Sequence, residues 1–257
     1  MGIFKNLCLA IPAYEPSDAL VPLLRELAPH FKAALTVDDG SRESVRAFAE
    51  AASVPGVTVL RHAANRGKGA ALKTAFAEIV SRHPGCGAVT ADADGQHLAK
   101  DVIAVAEALC AENGPEGGGR MVIGARRFTG RGVPFRSRLG NLWTVGEFRL
   151  LTGRRVSDTQ SGLRGIPAGT LPALLGIPGE RYEYEIAVLA AMAKAGRIVE
   201  VPVSTVYAAG NATSHYRPLA DTWRTQKSLF SACLKGTVPT FFGDCPQRRE
   251  GTVPTDA

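Results

Sequence analysis

Short apolar, β-rich runs alternate with stretches of helical period through the first half of the chain. Strands are predicted at Leu7–Ile11, Ala34–Val37, Val57–Leu60, Ala88–Ala91 and Met121–Ala125. Between them, residues 18–31 read as a helix with Ser17 or Asp18 available as its N-cap, and further helices are expected near Arg42–Ala52, Gly69–Ser81 and Lys100–Cys110. This alternation predicts an α/β fold: a mostly parallel central sheet flanked by helices. The second half is less regular. It holds a helix around Arg138–Thr152, another over residues 183–196, a strand at Ile198–Val203 and a helical stretch at Leu219–Lys235. In that last stretch Leu219, Trp223, Phe230 and Leu234 recur at helical spacing, opposite Arg217, Asp221, Arg224 and Lys235. Such a helix suits a membrane surface or the domain core equally. The expected organisation is a domain over residues 1–216, an amphipathic segment over 217–243 and a disordered tail over 244–257.

A chain of 257 residues with 45% hydrophobic and 21% charged residues is ordinary for one large α/β domain. Every apolar run is broken by charge, Gly or Pro before it reaches membrane-spanning length. The opening "MGIFKNLCLAIPAYEP" leads into Pro12 and acid rather than a cleavage site, and Asn6 stands where a myristoylation signal needs Ser or Thr. Five cysteines, odd in number and without a C-x-x-C pair, suit a reducing compartment. The expected location is the cytoplasm, with a peripheral contact on the cytoplasmic face of the membrane left open. The net charge of +6 is modest but concentrated. "GARRFTGRGVPFRSR" carries Arg126, Arg127, Arg131, Arg136 and Arg138 and no acid, a pattern suited to a solvated loop, a membrane surface or a phosphorylated substrate.

Three polar clusters follow predicted strands, where open α/β sheets place their ligands. They are "PAYEP" after the first, "DDGS" after the second and "DADGQH" after the fourth. Each alone reads as a turn; three on one edge point to a site. If the backbone after Ala91 stays extended, Asp92, Asp94 and Gln96 project from one side and offer three oxygen ligands to a hard divalent cation. An EF-hand is excluded, because position twelve counted from Asp92 is Ile103. "NRGKGAAL" opens a helix with Gly and Lys68, which suits a phosphate through helix N–H groups and positive charge. It is not a Walker A loop, since Gly69 follows Lys68. His97 and His215 read as structural beside an oxygen-rich site.

In order, "IPAYEP", "VDDGS", "NRGKGAALK", "DADGQH", "DTQSGLRG", "YEYEIAVL" and "SHYRPLAD" resemble glycosyltransferase family 2. Within it the chain is most similar to the dolichol-phosphate mannosyltransferase-like, or polyprenyl-phosphate glycosyltransferase, branch. The resemblance spans roughly residues 6–225. It implies a GT-A fold and inverting transfer from a UDP- or GDP-sugar to a polyprenyl phosphate. It also implies roles. Pro12, Tyr14 and Glu15 border the base and ribose, Asp39 bonds the base with Asp38 beside it, and Asp92, Asp94 and Gln96 hold the diphosphate through Mg²⁺ or Mn²⁺. Arg126, with Arg136 or Arg138, grips the acceptor phosphate. Asp158 and Gln160 stand near the sugar. Asp158 suits orientation better than base catalysis, because a phosphate monoester with a second pKa of about 6 is already ionised at neutral pH. A sugar hydroxyl would need a base.

The rival enzyme readings are transfer to a hydroxyl of a glycan or small molecule, and nucleotidyl transfer, which usually relies on a Gly-rich basic loop where this chain has "PAYEP". A non-catalytic basic module for a membrane surface would account for the arginine run but leave the D-x-D cluster unexplained. No nucleic-acid partner is expected.

Overall fold

The computed structural model describes residues 3–113, 119–126 and 135–204, with side chains omitted over 135–143. Seven strands form one sheet: β1 (Phe4–Ala13), β2 (Phe31–Asp38), β3 (Val57–Arg61), β4 (Gly87–Thr90), β5 (Met121–Arg126), β6 (Arg164–Ile166) and β7 (Ile198–Val203). Their order is β3-β2-β1-β4-β6-β5-β7. Every pairing is parallel except those of β6, which runs antiparallel to both β4 and β5. The helices are α1 (Leu20–Leu27), α2 (Val45–Ala52), α3 (Lys68–Arg82), α4 (Ala99–Glu112), α5 (Phe135–Thr152), α6 (Leu171–Leu175) and α7 (Tyr182–Lys194).

The two-residue period of β1 divides the core. Leu7, Leu9 and Ile11 pack with residues of α1, α2 and α4 on one face, while Cys8 and Ala10 pack with residues of α3, α6 and α7 on the other. With both faces covered, a strand has no polar side to show, which is why these runs read as unbroken apolar segments. Each fully buried Leu or Ile contributes roughly 1.5–3 kcal/mol, so the central strands anchor the polar residues at their carboxyl ends.

Several expectations are corrected. α1 begins at Leu20 with Ala19 as its N-cap residue and no side-chain cap. Ser17 instead turns the chain just before the helix, its Oγ accepting from Ala19 N–H at 3.4 Å and its carbonyl from Leu20 N–H. α2 starts at Val45 rather than near Arg42, because the N–H groups of Arg42, Glu43 and Ser44 turn toward the Glu15 carboxylate. The short β6 and α6 were not anticipated. The helix expected at Leu219–Lys235, and with it segments 217–243 and 244–257, lies outside the described residues. Among the described residues no helix is long and apolar enough to cross a membrane.

Candidate active site

The carboxyl ends of β1 and β2 carry the first two clusters. Pro12 is buried in register with Val37, beyond the end of β4, and Tyr14 is exposed just past the strand. Glu15 takes a left-handed backbone, φ 44°, unusual for a residue with a side chain. Its carboxylate accepts from Arg42 N–H at 2.6 Å, Glu43 N–H at 3.2 Å and Ser44 N–H at 2.9 Å, so it organises the loop after β2. Burial opposes its ionisation, but these N–H groups outweigh it and hold the carboxyl below its usual range. Asp38 is fully buried; Oδ1 accepts from Ser41 N–H at 2.7 Å. Arg61 Nε stands 3.2 Å from Asp38 Oδ2, at an angle that makes no hydrogen bond, so this buried oxygen is ion-paired yet lacks a hydrogen-bond donor.

Asp39 is engaged on three sides. Its carboxylate accepts from Arg66 N–H at 2.9 Å and Gly67 N–H at 2.7 Å, and Oδ1 lies 2.6 Å from His62 Nδ1. His62 Nε2 in turn lies 2.9 Å from Thr74 Oγ1. Asp39 therefore ties β2 to β3 and to the start of α3. The helix start expected to offer N–H groups to a phosphate is engaged in part. Asp39 takes the N–H groups of Arg66 and Gly67, and Glu180 O accepts from Ala70 N–H at 2.8 Å.

Lys68 brings the third cluster in. Its Nζ lies 2.6 Å from Asp92 Oδ1 and 2.8 Å from Glu185 Oε2, with the three side chains 18%, 27% and 12% exposed. Desolvation disfavours the ammonium, but the two carboxylates overcome it and push the Lys68 pKa up. Burial likewise opposes ionisation of Asp92, and Lys68 and His97 outweigh it, holding Asp92 far below the usual carboxylate range. His97 Nε2 is 3.4 Å from Asp92 Oδ2. Gly162 makes room for this arrangement: a Cβ there would lie 2.4 Å from Asp92 Oδ2.

The extended "DADGQ" backbone is not what forms. β4 ends at Thr90 and the chain turns, with Gly95 at φ 79° and Asp94 Oδ1 accepting from Gln96 N–H at 3.0 Å. Strand periodicity therefore does not bring Asp92, Asp94 and Gln96 together; the turn links Asp94 to Gln96 through the Gln96 N–H, while Asp92 pairs with Lys68 and His97. Among the described residues no three His, Cys, Asp or Glu side chains gather as a metal site. The donor set still fits a hard divalent ion: two carboxylates and an amide oxygen lie within one turn, and the Lys68 ammonium marks a position beside Asp92 where positive charge is held. An ion with so few protein ligands takes the rest from phosphate and water.

Across the sheet, Arg126 at the end of β5 grips Asp158. Nε donates to Oδ2 at 2.7 Å, Nη2 to Oδ1 at 3.0 Å, and the Arg126 N–H to Oδ2 at 3.2 Å. Gln160 N–H donates to Oδ1 at 3.1 Å, while the Gln160 side chain belongs to an exposed residue. Asp158 is fully buried and Arg126 largely so. Two residues expected to serve the acceptor and the sugar are thus a bidentate pair. Arg136 and Arg138 lie on α5, and their side chains are outside the described residues.

Residues 8–159 match the model of Glycosyl transferase family 2. The chain belongs to this family. An uncharacterised protein of Methanocaldococcus jannaschii is 32% identical over 205 residues, covering 77% of this chain and 81% of its own length. A UDP-N-acetylglucosamine–dolichyl-phosphate N-acetylglucosaminyltransferase of Methanococcus voltae is 27% identical over 220 residues, covering 79% and 86%. The crystal structure of mannosyl-3-phosphoglycerate synthase from Rubrobacter xylanophilus matches with a TM-score of 0.60 at 19% identity, covering 97% of this chain and 78% of that one. The family 2 domain and this likeness establish the GT-A nucleotide-diphospho-sugar transferase fold.

Within this family 2 glycosyltransferase, sequence reasoning missed Glu185 and His62 as parts of the site. Glu185 stood inside the quoted "YEYEIAVL", but nothing local shows that α7 opens beside Lys68, 117 residues earlier in the chain. His62 follows β3 directly, the same strand-end position that singled out the other clusters.

Proposed function

We propose that this glycosyltransferase moves a sugar, with inversion, from a UDP- or GDP-sugar to a polyprenyl phosphate. The observation that carries the acceptor class is the Asp158 carboxylate: both oxygens are committed to Arg126 and Gln160. A hydroxyl acceptor needs a base at the reacting atom. A phosphate monoester arrives ionised and needs none. The M. voltae relative, whose name specifies UDP-N-acetylglucosamine and dolichyl phosphate, supports the same reading.

In this proposal Pro12 and Tyr14 border the base and ribose. Asp38 and Asp39 face the base from the end of β2, and Glu15 keeps the loop beside them in shape. Asp92, Asp94 and Gln96 would hold Mg²⁺ or Mn²⁺, which neutralises charge on the departing nucleoside diphosphate. Lys68 supplies a further positive charge to that phosphate. Arg126 meets the acceptor phosphate at the end of β5, helped by Arg136 or Arg138, and Asp158 orients the guanidinium and the sugar. The protein meets its lipid acceptor as a peripheral protein on the cytoplasmic face of the membrane.

The test is transfer of radiolabelled sugar from UDP-, GDP-, dTDP- and CDP-sugars to polyprenyl phosphate, the matching polyprenol and soluble glycans. Product is expected with the phosphate alone. Transfer to the alcohol or a glycan, with none to the phosphate, overturns the acceptor assignment and returns Asp158 to the role of base.

A further inference from the structure

Glu185 has no role in the reading above, yet it shares the Lys68 ammonium with Asp92. The sharing is built by the fold. α3 and α7 meet at their first turns, where Gly69 leaves no Cβ; one placed there would lie 2.5 Å from Tyr184 Cβ. Glu180 O accepts from Ala70 N–H at 2.8 Å, which ties the start of α3 to the segment leading into α7, and Glu185 O accepts from Arg164 Nη1 at 2.6 Å, which ties the first turn of α7 to β6. Lys68 Nζ then sits between Asp92 Oδ1 at 2.6 Å and Glu185 Oε2 at 2.8 Å.

We propose that Glu185 is a positioning residue: it draws the Lys68 ammonium off Asp92 when Asp92 takes up a divalent cation, and keeps that ammonium beside the donor diphosphate. The proposal rests on the reading that Asp92 holds a metal. A divalent ion and an ammonium repel at contact distance, so an ion at Asp92 pushes Lys68 toward its other partner. With Glu185 present, Lys68 moves only within its shared contact and stays in the cleft. With Glu185 neutral, the ammonium has Asp92 alone to pair with, and the metal competes against it.

This gives a sign that simple helix docking does not. Glu185→Gln preserves shape and removes charge, and is expected to weaken Mn²⁺ binding, followed by electron paramagnetic resonance without nucleotide, by about 10-fold or more, the usual scale for a group acting behind a ligand. Adding Lys68→Met to Glu185→Gln is expected to restore Mn²⁺ affinity, because the competing ammonium is gone. Glu185→Asp, which keeps the charge, is expected to recover part of it, and melting temperatures establish that each variant is folded. Unchanged Mn²⁺ affinity in Glu185→Gln overturns the proposal. So does a loss that Lys68→Met leaves in place, which would make Glu185 a structural tie between α3 and α7. If the unmutated chain binds no Mn²⁺, the metal reading falls and takes this proposal with it. The acceptor assignment is judged separately by the transfer assay.

Discussion

The pairing of Arg126 with Asp158 alters how mutations of either residue should be read. Asp158 is fully buried and its charge is met mainly by one guanidinium. Removing one partner of such a pair leaves a buried, uncompensated charge, at a cost of about 3 kcal/mol. Arg126→Ala is therefore expected to lower stability by about 3 kcal/mol in denaturant titration, as well as reducing transfer. Arg126→Met with Asp158→Leu should lose less than Arg126→Ala alone, since no orphaned charge remains. A stability of Arg126→Ala equal to the unmutated chain would show that Asp158 does not depend on the fork. The individual residues of the site were legible as types: acids and a glutamine after strands, a lysine at a helix start, arginines after β5. Their partnerships were not, because Lys68 with Glu185 and Arg126 with Asp158 are contacts across 117 and 32 positions that no local pattern encodes.

At the scale of elements, two helical glycines separate backbone propensity from packing. Gly146 is exposed within α5, and an added Cβ would meet nothing within 4 Å. Gly146→Ala should stabilise the protein by about 0.5–1 kcal/mol, the helix-interior advantage of alanine. A Cβ added at Gly69, in the first turn of α3, would lie 2.5 Å from Tyr184 Cβ and 2.9 Å from Arg181 O, both parts of a well-anchored neighbour. Gly69→Ala should destabilise despite the same propensity gain, and thermal unfolding of both variants checks the opposite signs. β1, β2, β4 and β5 could be read because burial on both sheet faces leaves apolar runs bounded by polar turns, and the half-buried edge strands β3 and β7 by their runs of β-branched residues. β6 could not: it has three residues, two of them Arg164 and Gly165, and it is a strand only because β4 and β5 leave a gap that an antiparallel segment fills. The "DADGQ" turn was misjudged for a related reason. Alternation predicts facing side chains only while the strand continues, and β4 stops at Thr90.

For the whole molecule, the topology concentrates its chemistry on one edge. The parallel strands β1, β2 and β4 end beside one another, and α3 and α7 add Lys68 and Glu185 to the same place. A donor nucleotide bound across these ends contacts several elements at once, so its binding should stabilise the entire fold by linkage. At a nucleotide concentration 100 times Kd the gain is about 2.7 kcal/mol, which for a domain of this size raises Tm by roughly 5–10 °C. If Asp92, Asp94 and Gln96 hold the diphosphate through a metal, the rise with UDP or GDP should require Mn²⁺ or Mg²⁺ and disappear in EDTA. Asp94→Ala should also abolish it. That variant should melt near the unmutated chain without nucleotide, because Asp94 is half-buried and its recorded contact is a single bond from Gln96 N–H. An equal rise in EDTA would mean that Lys68 and the loops after β1 and β2 hold the nucleotide unaided. The Lys68 ammonium at Asp92 would then be the resident cation of the site rather than one that makes way for another.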